Sequence, residues 1–99
     1  MDKRDIFFLT KPPQSDRTEL CLRLMERSKD PVLYLAGDGV YNLLDVAILE
    51  ALPAGGVLAC GEDLEARGLQ AGGRATVPES FYELLVEDIV SEGSRIYTF

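Results

Sequence analysis

Cys60 is the residue in this chain best placed for chemistry, within Val57-Leu58-Ala59-Cys60-Gly61-Glu62-Asp63-Leu64-Glu65-Ala66-Arg67-Gly68. Val57 to Ala59 is a short apolar run of the kind that forms a buried strand, and Pro53-Ala54-Gly55-Gly56 turns the chain before it. Glu62 to Arg67 are helix formers with acids leading and an arginine trailing, and Gly68 supplies a left-handed stop. Cys60 is therefore expected where a strand's carboxyl end meets a helix's amino end. The free N–H groups of a helix start favour a thiolate, which is the nucleophilic form, while Glu62 and Asp63 oppose it by like charge. A plain packing reading stands beside this one: a small apolar side chain that finishes a buried strand.

The 99 residues contain no histidine and two cysteines. Cys-His and Ser-His dyads are excluded, and so are the commonest zinc ligand sets. The spacing of Cys21 and Cys60 matches no metal pattern, and two cysteines are too few for a disulfide scaffold. No metal and no cofactor are expected. What remains is a cysteine acting without a protein base, which suits sulfur or redox exchange, because such exchange needs only a partly ionised thiolate and access to it.

The elements that must hold these thiols follow from hydrophobic patterning. Asp5 to Thr10 reads as a strand apolar on both faces, as in a sheet covered on both sides. Asp16 with Glu19 resembles a capping box that opens a helix reaching about Ser28, with Leu20, Cys21, Leu24 and Met25 on its inner stripe. Val32 to Ala36 is a second strand. A helix over roughly Val40 to Leu52 follows, with Val40, Leu43, Leu44, Ala47, Ile48 and Ala51 on one face. Val46 and Leu49 make its other side apolar as well, which favours coverage by a partner. Beyond Cys60, Gln70 to Arg74 is a glycine-rich loop and Ala75 to Val77 a short strand. Ser80 and Glu83 form a second capping box ahead of a helix striped by Phe81, Leu84, Leu85 and Ile89. Glu92-Gly93-Ser94 turns the chain into a last strand, Arg95 to Phe99. This alternation predicts one domain over residues 1–99: an α/β fold, three-layered, with a mostly parallel sheet of about five strands and helices on both faces.

A net charge of −7 argues against a protein that grips nucleic acid directly. No apolar run approaches a membrane span of about 20 residues, and the start lacks the apolar core of a signal peptide, so a cytoplasmic location is expected. At the carboxyl ends of the strands the candidate groups are Lys11, Gly37 to Asn42, and Cys60. Gly37-Asp38-Gly39-Val40-Tyr41-Asn42 resembles a dinucleotide loop, yet it follows the second strand and carries Asn42 where a third small residue belongs, so a turn with a helix cap is favoured. A phospho-acceptor role for Asp38 would need an acidic cluster after the first strand, where the chain has Lys11-Pro12-Pro13.

Three stretches together resemble the small sulfur-relay proteins of the DsrE/DsrF/DsrH, or TusD/TusC/TusB, family. Gly39-Val40-Tyr41-Asn42 looks like their loop-and-helix entry. Cys60 with Arg67 and Gly68 is similar to the cysteine-helix-Arg-Gly segment of the DsrE/TusD subunit, and Ser94-Arg95-Ile96-Tyr97-Thr98-Phe99 resembles their closing strand. The short chain and Glu62 to Leu69 look more like the DsrH/TusB type, whose characteristic cysteine lies in the first helix, the place of Cys21. The resemblance implies a flavodoxin-like fold and assembly with DsrE/TusD-like and DsrF/TusC-like chains or with itself. It also implies persulfide transfer between protein cysteines, serving wobble-uridine 2-thiolation of tRNA or dissimilatory sulfur oxidation. Cys60 and Cys21 are the two candidate sulfur carriers; Cys60 is favoured because it is expected to be the more open, whereas the inner stripe of a helix buries Cys21. The competing readings are a non-catalytic subunit of such a complex and a nucleotide or flavin binder.

Overall fold

A computed structural model describes residues 4–52, 56–91 and 93–99. The turn expected at Pro53 to Gly55, the first three residues and Glu92 lie outside the described residues. Four parallel strands, β1 (Asp5–Leu9), β2 (Pro31–Leu35), β3 (Val57–Ala59) and β4 (Arg95–Thr98), stand in the order β3-β2-β1-β4. The expected strand at Ala75 to Val77 is reduced to a single bridge. Thr76 pairs with Leu58 beside β3, held by Ala59 N–H donating to Thr76 O at 2.9 Å and Thr76 N–H to Val57 O at 2.9 Å. Proline at 78 limits its length, because it offers no N–H to a ladder.

Alternation along the strands builds two cores. Phe7, Leu9, Leu33, Leu35, Val57 and Ala59 point to one side, where Cys21 and Met25 of α1 (Asp16–Glu26), Val40, Leu43 and Leu64 pack on them. Ile6, Val32, Tyr34, Ala36 and Cys60 point to the other side, under Phe81 and Leu85 of α4 (Phe81–Val90). The result is an α/β sheet with helices on both faces. No helix among the described residues is long and apolar enough to cross a membrane.

Several local expectations are corrected. The cap of α1 is Ser15, whose hydroxyl accepts from Arg17 N–H, one residue before the expected Asp16. Leu20 on the expected inner stripe is exposed, and buried Thr18 takes a place there, donating to Pro12 O at 2.8 Å. The continuous helix over Val40 to Leu52 is instead a 3₁₀ segment, Gly37–Leu44, followed by a short α2, Val46–Ala51. Asp45 separates them in an extended conformation and caps α2 through its carboxylate, which accepts from Ala47 N–H at 3.0 Å. The change of direction leaves Leu44, Val46, Ala47 and Ala51 exposed and turns Leu49 partly onto the core. Ser80 makes no side-chain cap bond to α4, so the second capping box is absent, and Ile89 is 38% exposed.

Candidate functional site

Cys60 occupies the junction expected for it. β3 ends at Ala59, Cys60 N–H donates to Leu35 O at 3.0 Å, and α3 (Gly61–Ala66) begins at the next residue with Cys60 as its cap. Gly68 closes α3 with φ +66. Because Ala59 faces the α1 side, Cys60 faces the α4 side. There it lines a pocket of about 410 Å³ with Gly61, Val77, Phe81 and Tyr82, and with Glu62, Glu79 and Glu83. The thiol expected to be open is 4% exposed, so it is reached through this pocket rather than from the general surface. Gly61 leaves room beside it: a Cβ there would come within 3.1 Å of Val77 Cγ1.

Tyr82 is half exposed on the pocket wall. Burial first, then the neighbouring Cys60, Asp63 and Glu62, push its hydroxyl up from the usual range. Sequence reasoning did not single out Tyr82. The signal available was strand parity, which turns Cys60 towards the first turn of the helix that carries Tyr82.

A clamp fixes α3 from its far side. Asp63 Oδ2 accepts from Gly37 N–H at 2.7 Å, and Arg67 donates to Asp38 Oδ1 at 3.1 Å and to the Asp63 carbonyl at 3.1 Å. Its guanidinium also lies 5.8 Å from the Tyr41 ring centroid. The loop that resembles a dinucleotide motif is thereby spoken for. The Gly37 amide faces a carboxylate, and Gly39 is filled against protein, since a Cβ there would meet Leu9 O at 2.1 Å. Asn42 donates to Lys11 O at 2.9 Å and Gly39 O at 2.8 Å, tying the first loop to the second. Lys11 thus contributes its carbonyl, while its side chain is exposed.

Cys21 lies elsewhere. It is 0% exposed in the α1-side core, with its Sγ 4.0 Å from Met25 Sδ, and burial pushes its thiol from 9.0 up to about 12. The structure does not bring the two cysteines together; they belong to cores on opposite sides of the sheet. Among the described residues no three His, Cys, Asp or Glu side chains gather as a metal site.

No curated protein matches the chain. A crystal structure of the ychN protein from E. coli superposes with a TM-score of 0.70 over 100% of both chains at 23% identity, a likeness of fold. The family model described as DsrH-like protein matches residues 10–93, which include both cysteines, the clamp and α4, and the chain belongs to that family.

Proposed function

We propose that this chain is a sulfur-relay component in which Cys60 receives sulfane sulfur from a persulfide donor and yields it to an acceptor thiol. Membership of the DsrH-like family supports a role related to sulfur relay. The observation that carries the choice of thiol is placement. Cys60 is a free cysteine on an open pocket, whereas Cys21 is sealed in a core where burial keeps it protonated. In the loading step the Cys60 thiolate attacks the outer sulfur of R–S–SH. One S–S bond forms, one breaks, the donor leaves as a thiolate and takes up the proton that Cys60 gave, and nothing is oxidised or reduced overall. Unloading is the same exchange with an acceptor thiolate. DsrE- and DsrF-like chains or a second copy are the partners, with exposed Leu44 and Val46 as part of the contact surface. The relay works in the cytoplasm, where the two free thiols stay reduced, and it supplies tRNA wobble-uridine 2-thiolation or sulfur oxidation.

A second reading, a structural subunit with both cysteines incidental, draws on the 4% exposure of Cys60. Incubation with a cysteine desulfurase and cysteine, followed by intact-mass analysis, separates the two. The relay reading expects one or more added sulfurs, lost in Cys60→Ser and retained in Cys21→Ser. Loading that survives Cys60→Ser removes Cys60 from the role, and no loading in any form favours the structural subunit.

A further inference from the structure

The pocket over Cys60 has a charge pattern that its role as a bare thiol does not require. Three carboxylates line it, Glu62 from the first turn of α3, Glu79 from the preceding loop, and Glu83 from the first turn of α4, and none of the lining residues is a lysine or arginine. None of the three glutamates takes part in an ion pair among the described residues. The two guanidiniums flanking the pocket residues in sequence are engaged elsewhere, Arg67 by Asp38 and Asp63 and Arg74 by the Leu43 carbonyl at 3.0 Å. The apolar part of the wall is formed by buried Phe81 and by Val77, which is exposed. A thiol that is 4% exposed at the base of such a pocket is reached by a slender projecting group and not by a flat surface.

We infer that this acid-rimmed pocket selects the sulfur partner of Cys60 by charge, taking a cysteine-bearing segment flanked by lysine or arginine from a partner protein and disfavouring anionic thiols and persulfides. The inference rests on Cys60 being the sulfur-handling thiol. Its physical basis is that opposite charge raises the local concentration and correct approach of the incoming sulfur, whereas like charge lowers both. A basic flank answers the three carboxylates, and its cysteine reaches the thiol past Tyr82. The same field acts on the reaction itself, since an anionic donor would bring a further negative charge beside the attacking thiolate.

The test uses the full chain and three short cysteine peptides, flanked by Lys, Ser or Glu, each activated as a 2-thiopyridyl mixed disulfide. Cys60 attacks the peptide sulfur, a Cys60–peptide disulfide forms, and pyridine-2-thione leaves and is read by absorbance; Cys60→Ser gives the blank. Rates are divided by those of a free cysteine with the same peptides. The order expected is Lys, Ser, Glu, with Lys over Glu by about ten-fold at low ionic strength and approaching unity near 1 M salt, where screening acts within about 3 Å. Glu62→Gln, Glu79→Gln and Glu83→Gln combined should remove most of the ratio. A Lys-to-Glu ratio within two-fold of the free thiol's, or one unmoved by salt and by the glutamine variant, overturns the inference. Persulfide loading is measured separately. If the charge order holds but Cys60 takes up no persulfide, pocket selection stands and the relay reading falls.

Discussion

Alanine at Gly39 would separate a glycine needed for space from one needed for conformation. A Cβ at Gly39 would sit 2.1 Å from Leu9 O and 2.9 Å from Leu9 C, both backbone atoms of the central strand. Leu9 is itself paired with Leu35, so β1 has little freedom to yield, and the 3₁₀ segment must lift instead. Lifting strains the bonds from Ala36 N–H to Leu9 O at 3.2 Å and from Gly39 N–H to Ala36 O at 2.9 Å. It also disturbs Asn42, 0% exposed, whose amide holds Lys11 O and Gly39 O. Overpacking costs about 1–3 kcal/mol and each buried polar group left unpaired about 1–3 kcal/mol, so the total is roughly 3–5 kcal/mol. Gly37 has φ +55 but its Cβ would meet nothing nearer than Thr10 O at 3.8 Å. Gly37→Ala should therefore cost only about 1–2 kcal/mol, the left-handed penalty. Urea unfolding of the two variants in parallel gives the comparison. If Gly39→Ala unfolds within about 1 kcal/mol of the parent, or no more easily than Gly37→Ala, the close approach assigned to Gly39 is wrong.

Two further outcomes are expected. Cys21 stays protonated to about 12 in the folded chain against an ordinary 9.0, so the folded state holds more protons in that window and its stability falls as pH rises from about 9. Other groups titrate there too, so the measure is the stability gap between parent and Cys21→Ala in urea, which should narrow above pH 9 by up to about 1.4 kcal/mol per pH unit; a constant gap from pH 8 to 11 contradicts the burial assigned to Cys21. In the clamp, Asp63→Ala loses a charged hydrogen bond to the Gly37 amide and should cost about 1.5–3 kcal/mol. Arg67→Met loses ion pairs with half-open or exposed carboxylates, Asp38 being 57% exposed, and should cost about 1 kcal/mol or less; denaturant melts that rank the two the other way would move the clamp's main tie to Arg67.

The parallel α/β arrangement was legible because Ile6 to Leu9 of β1 and Val32 to Leu35 of β2 are apolar without interruption, as expected of a doubly covered sheet. The Cys60 junction was legible for a local reason as well: an apolar run, a helix-forming run and Gly68 each signal their own limits. The helix expected over Val40 to Leu52 failed because its apolar spacing continues across Asp45, and periodicity does not register a side chain that can end one helix and cap the next. Leu20 and Ile89 failed by small rotations of their helices, which a stripe drawn from sequence does not resolve. The clamp was out of reach, because the bonds from Gly37 N–H to Asp63 and from Arg67 to Asp38 join the segment after β2 to the helix after β3 and depend on which strands lie side by side. The exposure of Cys60 was misjudged for the same reason, since α4 is distant in sequence and closes over it.

The sheet itself constrains how sulfur can travel. Exchange between a thiolate and a sulfane sulfur requires the two to meet in line, with the leaving sulfur on the far side. Cys21 and Cys60 belong to opposite cores, with hydrogen-bonded strands between them, and every route from one to the other runs through packed side chains such as Leu35 and Ala59. Neither a disulfide nor a persulfide hand-off within one chain is compatible with that arrangement. If Cys60 carries sulfur, both donor and acceptor come from outside the chain and use the α4-side pocket in turn, since Cys60 lines that cavity and is otherwise covered. In that case one entrance shared by two partners would make loading and unloading mutually exclusive. The bonds of Asp63 and Arg67 hold α3, only six residues long, from its far side and leave the pocket face untied by them.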